Sequence, residues 1–72
     1  MKLSELPIGA TARIKKINLS GSIRQRLLDF GMVEHTPITH LQTACGGDPS
    51  AFFIRGTVIA LRRTDSCNIE LY

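Results

Sequence analysis

Few side chains in this 72-residue sequence could do chemistry: two histidines, two cysteines and six carboxylates. Catalysis needs a convergent set, such as a nucleophile beside a base, paired carboxylates or a metal with an open position. Glu5, Asp29, Glu34, Asp48, Asp65 and Glu70 are instead isolated along the chain, and no G-x-S-x-G, Walker-type or H-E-x-x-H spacing occurs. His35, His40 and Cys45 are weak metal candidates, two imidazoles and a thiolate suited to a borderline ion such as zinc or iron. Residues five apart on a strand point to opposite faces, so His35 and His40 converge only if the strand begins after His35 or bulges between them. One turn histidine and one strand histidine in ordinary positions is the simpler expectation. Cys45 and Cys67 match neither a C-x-x-C site nor a dense disulfide framework and read as free thiols. The expectation is a protein that is not an enzyme and carries no cofactor.

Binding chemistry is better represented. The formal charge is +3, but the nine basic residues are scattered and form no run that would mark a nucleic-acid tail. Gly46-Gly47-Asp48-Pro49 is a turn signal, not a phosphate cradle, because a strand and not a helix follows it. Phe52 and Phe53 are adjacent, so on a strand they point to opposite sides and one of them meets solvent. If Phe52 and Ile54 face inward, Phe53 lies outside with Arg55, and an exposed aromatic beside an arginine has the composition of a protein-binding hot spot.

The elements that must position these residues can be read from periodicity. Leu3 to Pro7 reads as a short helical turn capped by Ser4 and released at Gly9. Thr11 to Ile17 alternates up to Lys15 and then slips by one, as in a half-buried strand with a bulge, with Ile14 facing the core. Ser22-Ile23-Arg24-Gln25 has capping-box spacing, and Ile23, Leu27 and Phe30, widened by Leu28, form the apolar stripe of a nine- or ten-residue helix ended by Gly31. Strand candidates follow at Thr36–Ala44, Ala51–Arg55, Thr57–Arg63 and Asn68–Leu71, with a tight turn at Gly56.

A chain of 7.9 kDa has room for one core, so residues 1–72 are expected to form a single domain. No stretch approaches the roughly 20 apolar residues of a membrane span, and the N-terminal residues lack a signal-peptide apolar region, which favours a cytosolic location. About five short strands with one short α-helix after the first predict a mainly β fold, a small SH3-like barrel. The nearest competitor is an OB-fold, whose helix conventionally comes later in the chain.

Several local signatures occur in order along nearly the whole chain. They are Leu3-Ser4-Glu5-Leu6-Pro7-Ile8-Gly9 with Ala12-Arg13-Ile14, the run Arg26 to Met32, Gly47-Asp48-Pro49, and Ile54-Arg55-Gly56 through Ile59 to Arg63. On these residues the sequence resembles the FeoA family of ferrous iron transport proteins, a module similar to the C-terminal SH3-like domain of iron-dependent repressors. The resemblance implies a cytoplasmic accessory protein that docks on FeoB, a membrane ferrous iron transporter with a GTP-binding domain. It would modulate that transporter and reach the inner face of the membrane only through it. Candidate contact residues are Arg24, Arg26, Phe53, Arg55 and Val58, whereas Leu27, Leu28 and Phe30 are expected in the core. The chain departs from the family where glycine is common (His35), where an apolar strand residue is common (His40), at Cys45 in place of proline and at Phe53 in place of a polar residue. Two alternatives stand beside this reading: a metal-binding or metal-sensing SH3-like domain, and a basic barrel that binds nucleic acid, a partner not otherwise expected. Pairing of barrel edges between copies leaves a homo-oligomer open.

Overall fold

Five strands and two helices run through the computed structural model, which describes residues 1–72. A single 3-10 turn at Leu3–Glu5 precedes β1 (Thr11–Ile17), α1 (Gly21–Asp29), β2 (Pro37–Thr43), β3 (Ser50–Ile54), β4 (Thr57–Leu61), α2 (Arg63–Ser66) and β5 (Ile69–Leu71). The sheet order is β4-β3-β2-β1-β5, with every neighbouring pair antiparallel. This is the mainly β architecture expected, with a short helix after the first strand.

Two bulges coil the sheet. In β1 the register shifts between Ile14 and Lys16, where the alternation slips in sequence. An extra residue bends a strand and raises its twist. Here it lets one strand pair with β2 through Thr11–Arg13 and with β5 through Ile14–Ile17. The second bulge lies between His40 and Gln42 and turns β2 across the barrel.

The period-2 pattern then fills the interior. Ile38 of β2, Phe52 and Ile54 of β3, Ile59 and Leu61 of β4, and Ile69 and Leu71 of β5 are buried in one cluster with Ile14, Leu27 and Met32. Leu3 and Leu6 of the N-terminal turn close the same cluster. Glu5 accepts a hydrogen bond at 2.8 Å from the Lys2 backbone N–H, so Lys2 and not Ser4 is the residue that caps this turn.

Three further details differ from the sequence reading. The Ser22–Gln25 capping box does not form: the helix starts at Gly21 (φ +70°) after Ser20, with no side-chain cap, and Gln25 donates to Asp29 at 3.0 Å instead. Only Leu27 of the stripe is fully buried, while Leu28 is half-buried and Phe30 is 36% exposed. So short a helix touches a curved sheet along a narrow line, and the flanks of its apolar stripe stay at the surface. Finally, β4 stops at Leu61, and Arg63–Ser66 forms a second helix of one turn. Its N-terminus is held from a distance, because the Asp48 carboxylate accepts from the Arg63 N–H at 2.9 Å. No helix is long and apolar enough to cross a membrane.

Candidate functional site

Alternation along β3 sorts the two adjacent phenylalanines as expected. Phe52 is 1% exposed and Phe53 43%. Phe53 lies opposite Val58 of β4, itself 60% exposed, and opposite Thr39 of β2. Thr39 is in turn opposite Thr11 of β1, their hydroxyls 2.7 Å apart. The outer sheet face therefore carries a row, Thr11–Thr39–Phe53–Val58, that is polar at one end and apolar at the other. Cross-strand Ala51 and Ala60 lie on the same face one step along, too small to cover the Phe53–Val58 pair.

The turn joining β3 to β4 places Arg55. Ile54 pairs with Thr57, leaving a two-residue loop in which Arg55 and Gly56 have φ of +47° and +79°. Positive φ at both positions is the type I′ hairpin geometry that matches strand twist. Arg55 then folds back over Gly31, at the exit of α1: a Cβ added to Gly31 would sit 2.4 Å from Arg55 Cδ and 2.7 Å from its Nε. The hairpin tip and the helix exit thus meet through the arginine stem. The one contact between a carboxylate and a basic side chain joins Glu34 to His35 Nε2 at 3.6 Å and involves no arginine, so the guanidinium of Arg55, like those of Arg24, Arg26, Arg62 and Arg63, has no carboxylate partner.

Arg24 and Arg26 are both exposed on α1, yet they are not neighbours. Residues two apart on a helix project roughly 200° apart. They flank the buried Leu27 on opposite sides, and a single flat surface can meet only one of them together with Arg55.

The structure does not bring His35, His40 and Cys45 together. β2 begins after His35, which occupies a turn at φ +73°. Its ring stacks on Tyr72 with centroids 5.1 Å apart, and its carbonyl accepts from Arg13 at 2.8 Å. The positive φ explains why glycine would suit this position. His40 is buried against Phe52, ring centroids 4.9 Å apart. Its Nδ1 lies 2.7 Å from the Leu6 carbonyl, which can only accept, so Nδ1 carries the proton; Nε2 lies 3.0 Å from the Thr43 hydroxyl, which continues to Ser50 at 3.0 Å. Both imidazole nitrogens are therefore used in joining the N-terminal turn to β2 and β3. Cys45 is exposed in the β2–β3 loop, and no three His, Cys, Asp or Glu side chains converge on a common point.

Two further polar arrangements had no signal in the sequence, because their members are far apart in it. An open groove of about 460 Å³ is lined in part by Glu5, Asn18, Cys67 and Glu70. Glu70 accepts from Asn18 Nδ2 at 2.6 Å. That bond holds its carboxyl below the ordinary value; slight burial opposes it, and Lys15 and Lys16 assist. In the second arrangement the Tyr72 hydroxyl donates to Glu34, which raises the Tyr72 pKa above its ordinary value.

The whole chain, residues 1–72, matches the family model for the FeoA domain. It is 38% identical over 71 residues, 99% of its length, to an Fe(2+) transport protein A/Fe(2+) transporter FeoB fusion protein of Porphyromonas gingivalis, and spans 8% of that relative's length. Among solved structures it is similar to the FeoA protein of Chlorobium tepidum, with a TM-score of 0.94 and 32% identity, covering all of this chain and 69% of that one. It is also similar to iron(II) transport protein A of Clostridium thermocellum, with a TM-score of 0.90 and 38% identity, covering 99% of this chain and 44% of that one. A third likeness is to the zinc-complexed FeoA of Stenotrophomonas maltophilia, a prokaryotic SH3 domain protein, with a TM-score of 0.87 and 26% identity, covering all of this chain and 89% of that one. With a coiled five-stranded sheet and a family match over its full length, the chain belongs to the FeoA family, SH3-like domains associated with ferrous iron transport.

Proposed function

We propose that this chain is a non-enzymatic accessory module that docks on the cytosolic part of a FeoB-type transporter and modulates its iron uptake. The observation that carries the reading is the relative in which an Fe(2+) transport protein A segment and the FeoB transporter are one polypeptide. Fusion holds two partners at high effective concentration, which profits a weak contact between separate chains. The surface has the matching character: an exposed aromatic paired with an exposed valine, bordered by a guanidinium already positioned over the helix exit. Phe53, Val58 and Arg55 form the centre of the proposed contact, with one of Arg24 or Arg26 at its margin.

Modulation needs no chemistry from the module. A protein that binds one conformation of the transporter better than another shifts the population by that difference in affinity alone. The test is co-purification and titration with the cytosolic portion of a FeoB-type transporter, comparing the wild type with Phe53→Ala. A central aromatic contributes about 2 kcal/mol or more, so the variant should bind at least about 30-fold more weakly while its unfolding curve barely moves. Absence of a wild-type complex under conditions that preserve weak contacts refutes the docking reading. Retention of tight binding by Phe53→Ala moves the contact to another face.

A further inference from the structure

The two edges of the sheet are not equivalent. At the β5 edge the N-terminal residues already occupy the free side: the Leu71 N–H donates to the Met1 carbonyl at 2.6 Å, and Lys2 bridges Glu70. The β4 edge has no such cover, and no backbone bond outside the β3 ladder involves Thr57–Leu61. The hairpin closes on the Ile54–Thr57 pair, so alternation makes Phe52–Ile59 and Ser50–Leu61 the other hydrogen-bonded pairs. The N–H and C=O groups of Val58 and Ala60 then point away from β3 into solvent. Soluble proteins ordinarily blunt such an edge with lysine, proline or a bulge. Thr57–Leu61 has none of these and pairs with β3 without a register shift.

The charges around the edge indicate what fits it. Between Pro49 and Asp65 there is no acidic residue, while Arg55 lies at one end of β4 and Arg62 and Arg63 at the other. None of the three has an ion-pair partner, and the nearby Asp48 carboxylate is engaged by the Arg63 N–H. We infer that the β4 edge accepts an extended segment of the docking partner as an added antiparallel strand, one with an apolar centre and acidic residues at its ends. Backbone bonds from Val58 and Ala60 would supply the register, and the flanking arginines the choice of sequence. A second copy of the chain fits poorly, because two-fold pairing centred on Ile59 sets Arg55 of each copy beside Arg62 and Arg63 of the other.

This inference rests on the docking reading, and two probes separate them. The isotope-labelled full chain is titrated with the cytosolic portion of a FeoB-type transporter and, independently, with a synthetic peptide of alternating valine and glutamate; a valine–lysine peptide is the control. Amide exchange is read residue by residue. Exchange at Val58 and Ala60 should slow about tenfold or more in the transporter complex and, at saturation, with the glutamate peptide, but not with the lysine peptide. Ala60→Pro removes one outward N–H and leaves the β3 ladder whole, and should weaken both interactions roughly 3- to 10-fold. The double variant Arg55→Glu/Arg62→Glu keeps the backbone intact and should weaken them about tenfold or more, with the wild-type salt dependence lost. A transporter complex with unchanged exchange at Val58 and Ala60 overturns the edge proposal and leaves docking standing. Without a transporter complex, protection by the glutamate peptide sustains the edge as an acidic-strand site and overturns docking; no protection by either probe overturns both. Concentration-dependent protection of the same amides in the chain alone assigns the edge to a second copy and overturns the inference.

Discussion

Replacing Gly31 by alanine tests whether the helix exit and the Arg55 stem are physically linked. Gly31 has a φ of +86°, where a Cβ costs roughly 1–2 kcal/mol, partly offset by about 0.4–1 kcal/mol because alanine restricts the unfolded chain. The backbone alone should therefore cost about 1 kcal/mol. The new methyl would also meet Arg55 Cδ at 2.4 Å and Nε at 2.7 Å. That contact is impossible, so the arginine stem must leave its rotamer, at roughly 0.5–1.5 kcal/mol, or swing into solvent. The expected total is about 2 kcal/mol. A chain of this length is ordinarily stable by roughly 4–10 kcal/mol, so the variant stays folded and measurable. Urea unfolding of wild type, Gly31→Ala, Arg55→Ala and the double variant completes a cycle. In the Arg55→Ala background Gly31→Ala should cost only about 1 kcal/mol, leaving a coupling of roughly 0.5–1.5 kcal/mol at unchanged m-value. Affinity for the transporter portion should fall with Gly31→Ala alone, because the guanidinium is displaced, yet be unaffected by it once Arg55 is alanine. Equal cost of Gly31→Ala in both backgrounds shows that the Arg55 stem is not held on Gly31 and swings free, and a cost near zero refutes the left-handed turn.

Other consequences are more local. His40→Leu fills the same space but strands the Leu6 carbonyl, while the Thr43 hydroxyl keeps Ser50, and should lower stability by about 1–3 kcal/mol in urea; an unchanged midpoint would show that the imidazole does not join the N-terminal turn to the sheet. Asp48→Ala removes the acceptor at the start of α2 and should cost about 0.5–2 kcal/mol, with faster amide exchange confined to Arg63–Ser66, while Asp48→Asn keeps most of the effect. Glu70 has a lowered carboxyl pKa in the folded chain, so it contributes stability above its unfolded-state pKa that disappears as pH falls through the folded one. Asn18→Ala removes the main cause and should flatten that acid limb. The two stability curves should converge at the acid end, and parallel curves would exclude the Asn18 bond as the source.

Strand alternation was the legible part of the sequence, whereas the local capping signals at Ser4 and Ser22–Gln25 misled. Alternation through Phe52-Phe53-Ile54 required one ring in and one out, the structure burying Phe52, and the slip at Lys15 marked the bulge that turns β1 from β2 to β5. Gly56 announced a tight turn, though not that the strand stops at Ile54 and that Arg55 joins the turn at positive φ. What stayed hidden depends on residues distant in the chain. The single turn of α2 is too short for a helical period, and the carboxylate that holds it comes from Asp48, 15 residues earlier. The apolar stripe of α1 was legible as a pattern, but how much of it is covered depends on the curvature of the sheet beneath, which left Phe30 at the surface. His40 sits where an apolar residue would serve, and nothing local shows that Leu6 and Thr43 will satisfy both of its nitrogens.

The same geometry that builds the core also concentrates the unsatisfied surface. Because Phe52 and Ile54 must face inward, Phe53 faces out; because the I′ turn allows only two residues, Val58 comes opposite it. Because Met1 and Lys2 occupy the β5 side, the free backbone groups of the sheet remain on β4. An exposed aromatic, an unpaired strand edge and unpartnered guanidiniums therefore fall on one hairpin and its exit, Ser50 to Arg63. Left uncharged, such a hairpin would pair with its own copies. Arginines at its ends make that pairing repulsive and complement acidic side chains, so in the proposed docking the charges that discourage self-association would also select the partner strand.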